Sequence, residues 1–148
     1  MKTVRDLPMF LVLTIMVLLL TGCGKKLPPG MPSPVPCEII VMQEDKPLED
    51  AVVRLQPTDN SSWTAAGRTD SSGKAIVYTM DQYKGAIPGK YKVSVSKTVM
   101  EAADGFYLVD RQYGSASTTP LEIDVAKGTA AYTVDVGKAV RIKAETKR

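Results

Sequence analysis

Few side chains in this sequence are suited to catalysis or to metal binding. The 148 residues include no histidine and only two cysteines, Cys23 and Cys37. Without an imidazole, the chain lacks the Ser-His-Asp and Cys-His nucleophile systems and the usual zinc ligands. Two cysteines are too few to replace the missing histidines. We therefore expect no catalytic residue, no metal and no cofactor.

Carboxylates lie close together at two places in the sequence. Glu49 and Asp50 are neighbours at a predicted turn, whereas Glu122 and Asp124 share the solvent-facing side of a predicted strand. A pair of carboxylates is the minimum for general acid–base hydrolysis. A solvated surface is the more common explanation for both pairs, and a carboxylate-dependent hydrolase is the less favoured one.

The segment Asp70-Ser71-Ser72-Gly73-Lys74 matches two functional patterns only in part. It has the start of a calcium loop but not the intermediate oxygen ligands. Ser71 and Lys74 have the spacing of serine–lysine acylases, but they lie in a predicted turn and not on a helix. Aspartate and glycine are typical turn residues, so the segment predicts a hairpin turn.

Cys23 follows a sequence that is typical of export signals. Lys2 and Arg5 precede an uncharged apolar run at residues 9–20 (MFLVLTIMVLLL). This run is shorter than the roughly 20 residues of a membrane span and fits the hydrophobic region of a secretory signal. The run ends at Leu20, and Cys23 lies three positions further on.

The motif Leu20-Thr21-Gly22-Cys23 resembles the lipobox of bacterial lipoproteins. In that family the cysteine thiol receives a diacylglycerol, and a peptidase then cuts before the cysteine. The resemblance implies a cleaved signal peptide over residues 1–22, palmitate-type acyl chains on Cys23 and a lipid anchor in the cell envelope. Because Gly24 replaces the aspartate that favours retention in the inner membrane, the outer membrane is favoured in a Gram-negative cell. In any other cell, the extracytoplasmic face of the cell membrane is expected. The alternative to a lipobox is a simple signal peptide with an incidental cysteine.

Residues 23–36 form a proline-rich linker between the lipidated cysteine and the domain. Proline lacks a backbone donor, so the stretch GKKLPPGMPSPVP at residues 24–36 excludes a helix or a central strand. It predicts an extended spacer with a reach of about 30–40 Å.

From Cys37 onward, apolar residues recur with a period of two. This alternation indicates strands with one buried and one solvated face. It predicts about seven strands, at residues 37–42, 51–56, 62–68, 74–79, 90–97, 121–125 and 132–136. We therefore expect an all-β fold, a single small antiparallel β-sandwich at residues 37–138, followed by a charged tail at residues 139–148.

Three segments of the predicted domain resemble carboxypeptidase regulatory-like domains. They are PLEDAVV at residues 47–53, GRTDSSGKA at 67–75 and IPGKYKVSV at 87–95, with QY at 112–113 and TTPL at 118–121 as further similarities. The resemblance implies the prealbumin-like, or transthyretin-like, β-sandwich. Lys46 and Asp50 stand where the family commonly has glycines, and the family implies no catalytic residue.

Two features leave alternatives open. The long loop at residues 98–119, with at most one helical turn at 98–104, carries Phe106, Tyr107 and Tyr113. These aromatic residues either form a partner-binding surface or cover an open end of the sandwich. Cys37 is either a buried thiol, which we favour, or part of an intermolecular disulfide.

Composition limits the class of partner. With 44% hydrophobic residues the chain can form a core, and its net charge of +3 comes from scattered basic residues. Because nucleic-acid binders cluster their basic residues, no nucleic acid is expected. The sequence predicts a membrane-anchored, non-catalytic envelope lipoprotein whose domain is structural or binds envelope proteins or glycans. An accessory module of an envelope transport or secretion system is the first alternative, and a carboxylate-dependent hydrolase is the second.

Overall fold

The computed structural model describes residues 26–59 and 61–144 of the chain. The predicted signal peptide, the lipobox and Cys23 lie outside these residues. Within them the fold is all-β, as predicted. The elements are β1 (Glu38–Gln43), β2 (Lys46–Pro47), β3 (Val52–Pro57), β4 (Ala65–Arg68), β5 (Lys74–Ile76), β6 (Tyr78–Thr79), β7 (Tyr83–Lys84), β8 (Gly89–Ser96), β9 (Thr98–Glu101), β10 (Asp104–Tyr107), a 3₁₀ helix (Arg111–Gly114), β11 (Glu122–Val125), β12 (Ala131–Asp135) and β13 (Ile142–Lys143).

The strands form a small sandwich with a third sheet attached to it. One sheet has the order β11-β8-β3-β4-β6-β7, and the other places β1 beside β12, β2 and β5. The third sheet has the order β13-β10-β9. The expectation of antiparallel sheets is confirmed with one exception, because β12 runs parallel to β1, with Val134 beside Val41.

Alternating side chains of the two main sheets build the core. In the six-stranded sheet, Val53 pairs with Val95 and Leu55 with Val93, and all four side chains are buried. Ile39 and Val41 of β1 belong to the same buried cluster. Since burying each such side chain contributes about 1.5–3 kcal/mol, the two-residue period is the main determinant of these strands.

The prediction of about seven strands is too low, partly because one predicted strand is divided. The segment at residues 74–79 forms β5 and β6, which are separated at Val77. β5 pairs with β1, whereas β6 pairs with β4 in the other sheet. This segment therefore closes one side of the sandwich. The strand predicted at residues 62–68 begins only at Ala65, and Trp63 lies before it.

The region at residues 98–119 is also more regular than predicted. Residues 98–104, where at most one helical turn was expected, form no helix, because β9 and β10 make a β-hairpin there. Ala102 has a left-handed φ of 53° in its turn. β13 lies within the predicted tail and pairs with β10, with Lys143 beside Phe106. The ordered body of the protein thus extends beyond residue 138.

The linker differs from the predicted free spacer over its described part. Met31 is only 7% exposed, and the amides of Val35 and Ala86 exchange hydrogen bonds of 2.8 and 3.0 Å with each other's carbonyl groups. The Tyr83 hydroxyl donates a 3.1 Å bond to the Lys26 carbonyl oxygen. Residues 26–36 therefore dock against the segment at residues 83–87, beside the side that β5 and β6 close.

The two departures from the regulatory-like pattern are accommodated without glycine. Asp50 has a left-handed φ of 57°, which aspartate tolerates better than most residues. Its carboxylate forms a 2.7 Å ion pair with Arg68. Lys46 lies in β2, after a turn in which Glu44 and Asp45 have φ values of 51° and 59°.

Candidate functional site

The three aromatic residues predicted as a partner-binding surface do not form one patch. Phe106 and Tyr107 are neighbours on β10, so their side chains lie on opposite faces of the small sheet. Tyr113 belongs to the 3₁₀ helix and packs against the core of the sandwich. Tyr113 therefore covers the sandwich, whereas Phe106 and Tyr107 are partly exposed and their role in partner binding stays a prediction.

A groove of about 550 Å³ lies beside Tyr107. The Arg111 guanidinium carbon stands 5.3 Å from the centre of the Tyr107 ring, within the range of a cation–π contact. Arg111 also donates a hydrogen bond of 3.3 Å to the Lys143 carbonyl oxygen. The groove thus combines an aromatic ring, a cation and exposed hydroxyls. It is lined by Val95, Ser96, Thr98, Tyr107, Val109, Asp110, Arg111, Gly114 and Ser115.

The segment that carries this groove is tied to the sandwich by hydrogen bonds. The Leu108 carbonyl oxygen accepts a 3.0 Å bond from the Gln43 side chain. The Asp110 carboxylate accepts a 2.9 Å bond from the Gln112 amide and so caps the 3₁₀ helix. Buried Thr119 donates a 2.8 Å bond to the Val93 carbonyl oxygen. Because of these contacts, the groove is built into the fold and is not the surface of a free loop.

The opposite face of the small sheet is covered by ion pairs. The Arg141 guanidinium lies 4.4 Å from the Phe106 ring centre and pairs with Glu101. Lys143 pairs with Asp104 at 2.8 Å. The sequence did not predict this arrangement, because Arg141 and Lys143 fall in the predicted charged tail. The alternation of charged and apolar residues at 141–143 was the available signal for a strand.

A second groove, of about 640 Å³, lies on the outer face of the six-stranded sheet. Ala66 pairs with Arg54 of β3 on one side and with Tyr78 of β6 on the other. Its side chain is shorter than those of both neighbours, so the surface is depressed at Ala66. Arg54 is exposed and has no ion pair within the described residues, whereas Arg68 is paired with Asp50. This groove was not among the sites predicted from the sequence, although the alternating polar residues of β3 indicated a solvated face.

The four carboxylates considered for hydrolysis are exposed, and two of them, Asp50 and Glu122, are engaged in ion pairs. Glu122 contacts Lys92 at 2.5 Å, and this hydrogen bond together with the positive charge lowers the pKa of Glu122. The hydrogen bond and charge of Arg68 likewise lower the pKa of Asp50. Both groups are ionised at neutral pH, whereas a catalytic acid requires a raised pKa.

Asp70 is engaged in a hairpin turn, as predicted. Its Oδ1 atom accepts hydrogen bonds from the Ser72 hydroxyl at 2.6 Å, the Ser72 amide at 2.8 Å and the Lys74 amide at 3.1 Å. These bonds lower the pKa of Asp70. Lys74 pairs with Glu38 and is not directed at Ser71. Over residues 26–59 and 61–144, no group of three or more acidic or cysteine side chains could hold a metal ion.

Cys37 is buried, as favoured from the sequence, with 2% of its surface exposed. Burial, with a smaller contribution from Glu38, raises the pKa of the thiol to about 11. The thiol is therefore protonated at neutral pH and weakly nucleophilic.

Comparison of the chain with protein-family models, curated proteins and solved structures finds no significant match. In the described part of the chain, no helix has the length and apolar character needed to cross a membrane.

Proposed function

We propose that this chain is a lipid-anchored, non-catalytic module of a bacterial cell envelope. The observation that carries the proposal is the sequence Leu20-Thr21-Gly22-Cys23 after a positively charged and then apolar leader. Two or more acyl chains provide a stable membrane anchor without a membrane-spanning helix. Outer-membrane sorting, inferred from Gly24, belongs to the same proposal.

The side-chain chemistry of the domain supports a non-catalytic role. The lowered pKa values of Asp50, Asp70 and Glu122 keep these carboxylates ionised at neutral pH. The raised pKa of Cys37 keeps the remaining thiol protonated. Neither condition favours acid catalysis or nucleophilic attack.

The groove beside Tyr107 is the binding surface that the geometry favours. Tyrosine and arginine are enriched where binding energy concentrates in protein interfaces. Here the Arg111 side chain contacts the Tyr107 ring and the Lys143 carbonyl oxygen, and these contacts reduce the conformational entropy that is lost on binding. The proposed occupant is an envelope protein or a glycan, and a protein of a transport or secretion machine would correspond to the first alternative function.

Mass spectrometry of the native protein tests the anchor. We expect a mature chain that begins at Cys23 and carries diacylglycerol, recovered in the membrane fraction. The Cys23→Ser variant should lose both the lipid mass and the membrane association. Cys37→Ala is the matched control and should retain both. An unmodified chain with an intact leader would overturn the proposal.

Site-specific photo-crosslinking in intact cells tests the binding groove. A photoreactive amino acid in place of Tyr107 should give an adduct that is absent when the same group replaces Asp124 on β11. Identical adducts from both positions, or none from either, would count against the groove. Turnover of glycans or peptides that is abolished by Glu122→Gln or Asp124→Asn would instead establish the hydrolase alternative.

A further inference from the structure

Exposed apolar side chains are concentrated on one side of the sandwich. Five large apolar residues are exposed in the described part of the chain, and one of them, Met100, lies on β9 of the separate small sheet. Ile76, Tyr78 and Met80 are 37%, 38% and 44% exposed and occupy every second position from β5 through β6 to the turn that follows it. Leu27 of the linker is 39% exposed. We name these four residues, with β7, the linker side.

The linker itself connects this side to the predicted lipid. Lys26 is held at β7 by the bond from Tyr83 to its carbonyl oxygen. Only three residue steps separate Lys26 from Cys23, and they span at most about 11 Å when fully extended. Although residues 23–36 were expected to hold the domain about 30–40 Å from the membrane, docking of residues 26–36 leaves less than half of that reach.

Charge on the linker side also suits an anionic lipid surface. Lys26 and Lys84 are exposed there, and Lys25 precedes Lys26 in the sequence. Lys74 is paired with Glu38, and Asp81 in the turn after β6 is an exposed carboxylate near this side. Among the described residues, Lys26 and Lys84 form no ion pair. Lysines close to a membrane surface are attracted to anionic head groups.

We propose that the linker side is a lipid-contacting surface that holds the sandwich directly on the membrane in a fixed orientation. Ile76, Tyr78 and Met80 contact the interfacial region of the bilayer, where a tyrosine ring is favoured because it is apolar and carries a polar tip. The lysines contact head groups. β11 and β12, which lie at the opposite edges of the two main sheets, face away from the lipid. This inference rests on the proposed lipidation of Cys23, and it adds which face of the domain meets the lipid.

Fluorescence quenching by brominated lipids tests the orientation. The lipidated protein carrying Trp63→Phe, which removes its one tryptophan, is reconstituted into vesicles of brominated phosphatidylcholine and phosphatidylglycerol. Tyr78→Trp in this background reports on the linker side. Asp124→Trp is the matched control, because β11 lies four strand spacings, or about 19 Å, from β6 in the same sheet. We expect bromine to quench the Tyr78→Trp variant and to leave the Asp124→Trp variant unquenched.

A lengthened linker separates docking from anchoring. A Gly/Ser insertion of about ten residues between Lys25 and Lys26, which spans roughly 17 Å as a flexible coil, should reduce the quenching of the Tyr78→Trp variant. The protein should still float with the vesicles.

The outcomes distinguish this inference from the anchor. If the lipid mass is present and the vesicles retain the protein, but the two tryptophan variants are quenched equally or not at all, the orientation is overturned and the anchor stands. Unchanged quenching after the insertion would show that the apolar surface stays on the membrane even when the linker is long. It would overturn the inference that the short linker keeps this surface at the membrane. Absence of the lipid mass would overturn the anchor and the orientation together.

Discussion

At the residue scale, the polar side chains that suggested chemistry serve a turn or surface ion pairs. Asp70 shows this most clearly, because one carboxylate oxygen accepts three hydrogen bonds within its own turn. Buried Thr69 similarly accepts a 2.8 Å bond from the Ala51 amide. Such bonds keep polar groups satisfied where the chain turns between strands.

The Asp70 turn predicts a pH dependence of stability. The folded-state pKa of Asp70 lies below the usual value of about 3.9. Its stabilising contribution is therefore complete above about pH 4 and is lost as the pH falls through the folded-state pKa. Asp70→Asn should lower the urea midpoint at neutral pH, and its difference from the parent protein should shrink in acid.

Urea titrations at neutral pH and at about pH 3 check this prediction. Asp124→Asn, on the exposed face of β11, is the matched control and should leave the midpoint unchanged at neutral pH. An Asp70→Asn variant as stable as the parent protein at neutral pH would show that the three bonds do not stabilise the turn.

At the element scale, the strands are specified by the face that they bury. β8 alternates strictly, with Tyr91, Val93 and Val95 buried between less buried neighbours. β3 pairs with it in register over six residues and shows the same alternation. A shift by one residue would expose every apolar side chain of the strand, so the register is strongly determined.

Val93→Asp should unfold the domain. Val93 has no exposed surface, and an unpaired charge in its place costs several kcal/mol, comparable with a total stability of about 5–15 kcal/mol. Ser94→Asp is the control, because Ser94 faces outward beside Arg54. A thermal melt should show no cooperative transition for the first variant and a near-parental transition for the second. A parental melt for Val93→Asp would mean that β8 is placed wrongly.

Gly85→Ala should detach the linker from β7. Gly85 has a left-handed φ of 102°, and an added Cβ would lie 2.1 Å from the Val35 carbonyl oxygen. The strain alone costs about 1–3 kcal/mol. Gly114→Ala is the control, because no atom lies within 4 Å of its added Cβ.

Limited trypsin digestion checks the Gly85→Ala prediction through cleavage after Lys26. We expect faster cleavage and a lower urea midpoint for Gly85→Ala only. Equal protection of Lys26 in the parent protein and in Gly85→Ala would contradict the docked linker.

At the scale of the whole molecule, the described residues form a sandwich with two attachments. The linker is attached to β7 at one side, and the sheet of β9, β10 and β13 extends from the end of β8. The core cluster ends at Val136 in chain order, so the C-terminal strand contributes pairing and not core burial. The sandwich and the small sheet should therefore respond differently to truncation.

Deleting residues 139–148 should loosen the β9–β10 hairpin and leave the sandwich folded. The deletion removes β13 together with the partners of Glu101 and Asp104. Exposed ion pairs contribute only about 0–1 kcal/mol, so loss of strand pairing should dominate the effect.

Amide hydrogen exchange checks the truncation. Exchange should accelerate in β9 and β10 while β3 and β8 keep their protection. The full-length variant Arg141→Ala/Lys143→Ala is the control for the ion pairs and should show a smaller change. Faster exchange in β3 and β8 as well would show that β13 supports the whole fold.

The sequence by itself determined which residues face the core and where the main turns fall. Alternation in β3 and β8 and the aspartate–glycine turn at residues 70–73 are local signals, because they follow from the two-residue period of a strand and from the backbone preferences of single residues. Charged, apolar and small residues before Cys23 are likewise a local pattern, and the membrane anchor stays a prediction from that pattern.

The tertiary structure decided which distant segments pair. The sequence did not indicate that Val35 would pair with Ala86, that Lys143 would lie beside Phe106, or that the strand predicted at residues 74–79 would divide between two sheets. Proline content suggested a free linker, but a proline-rich strand can still dock at a sheet edge, where its missing donors face away from the ladder. Such pairings depend on the edges that the folded sandwich leaves open, and those edges exist only after the core has formed.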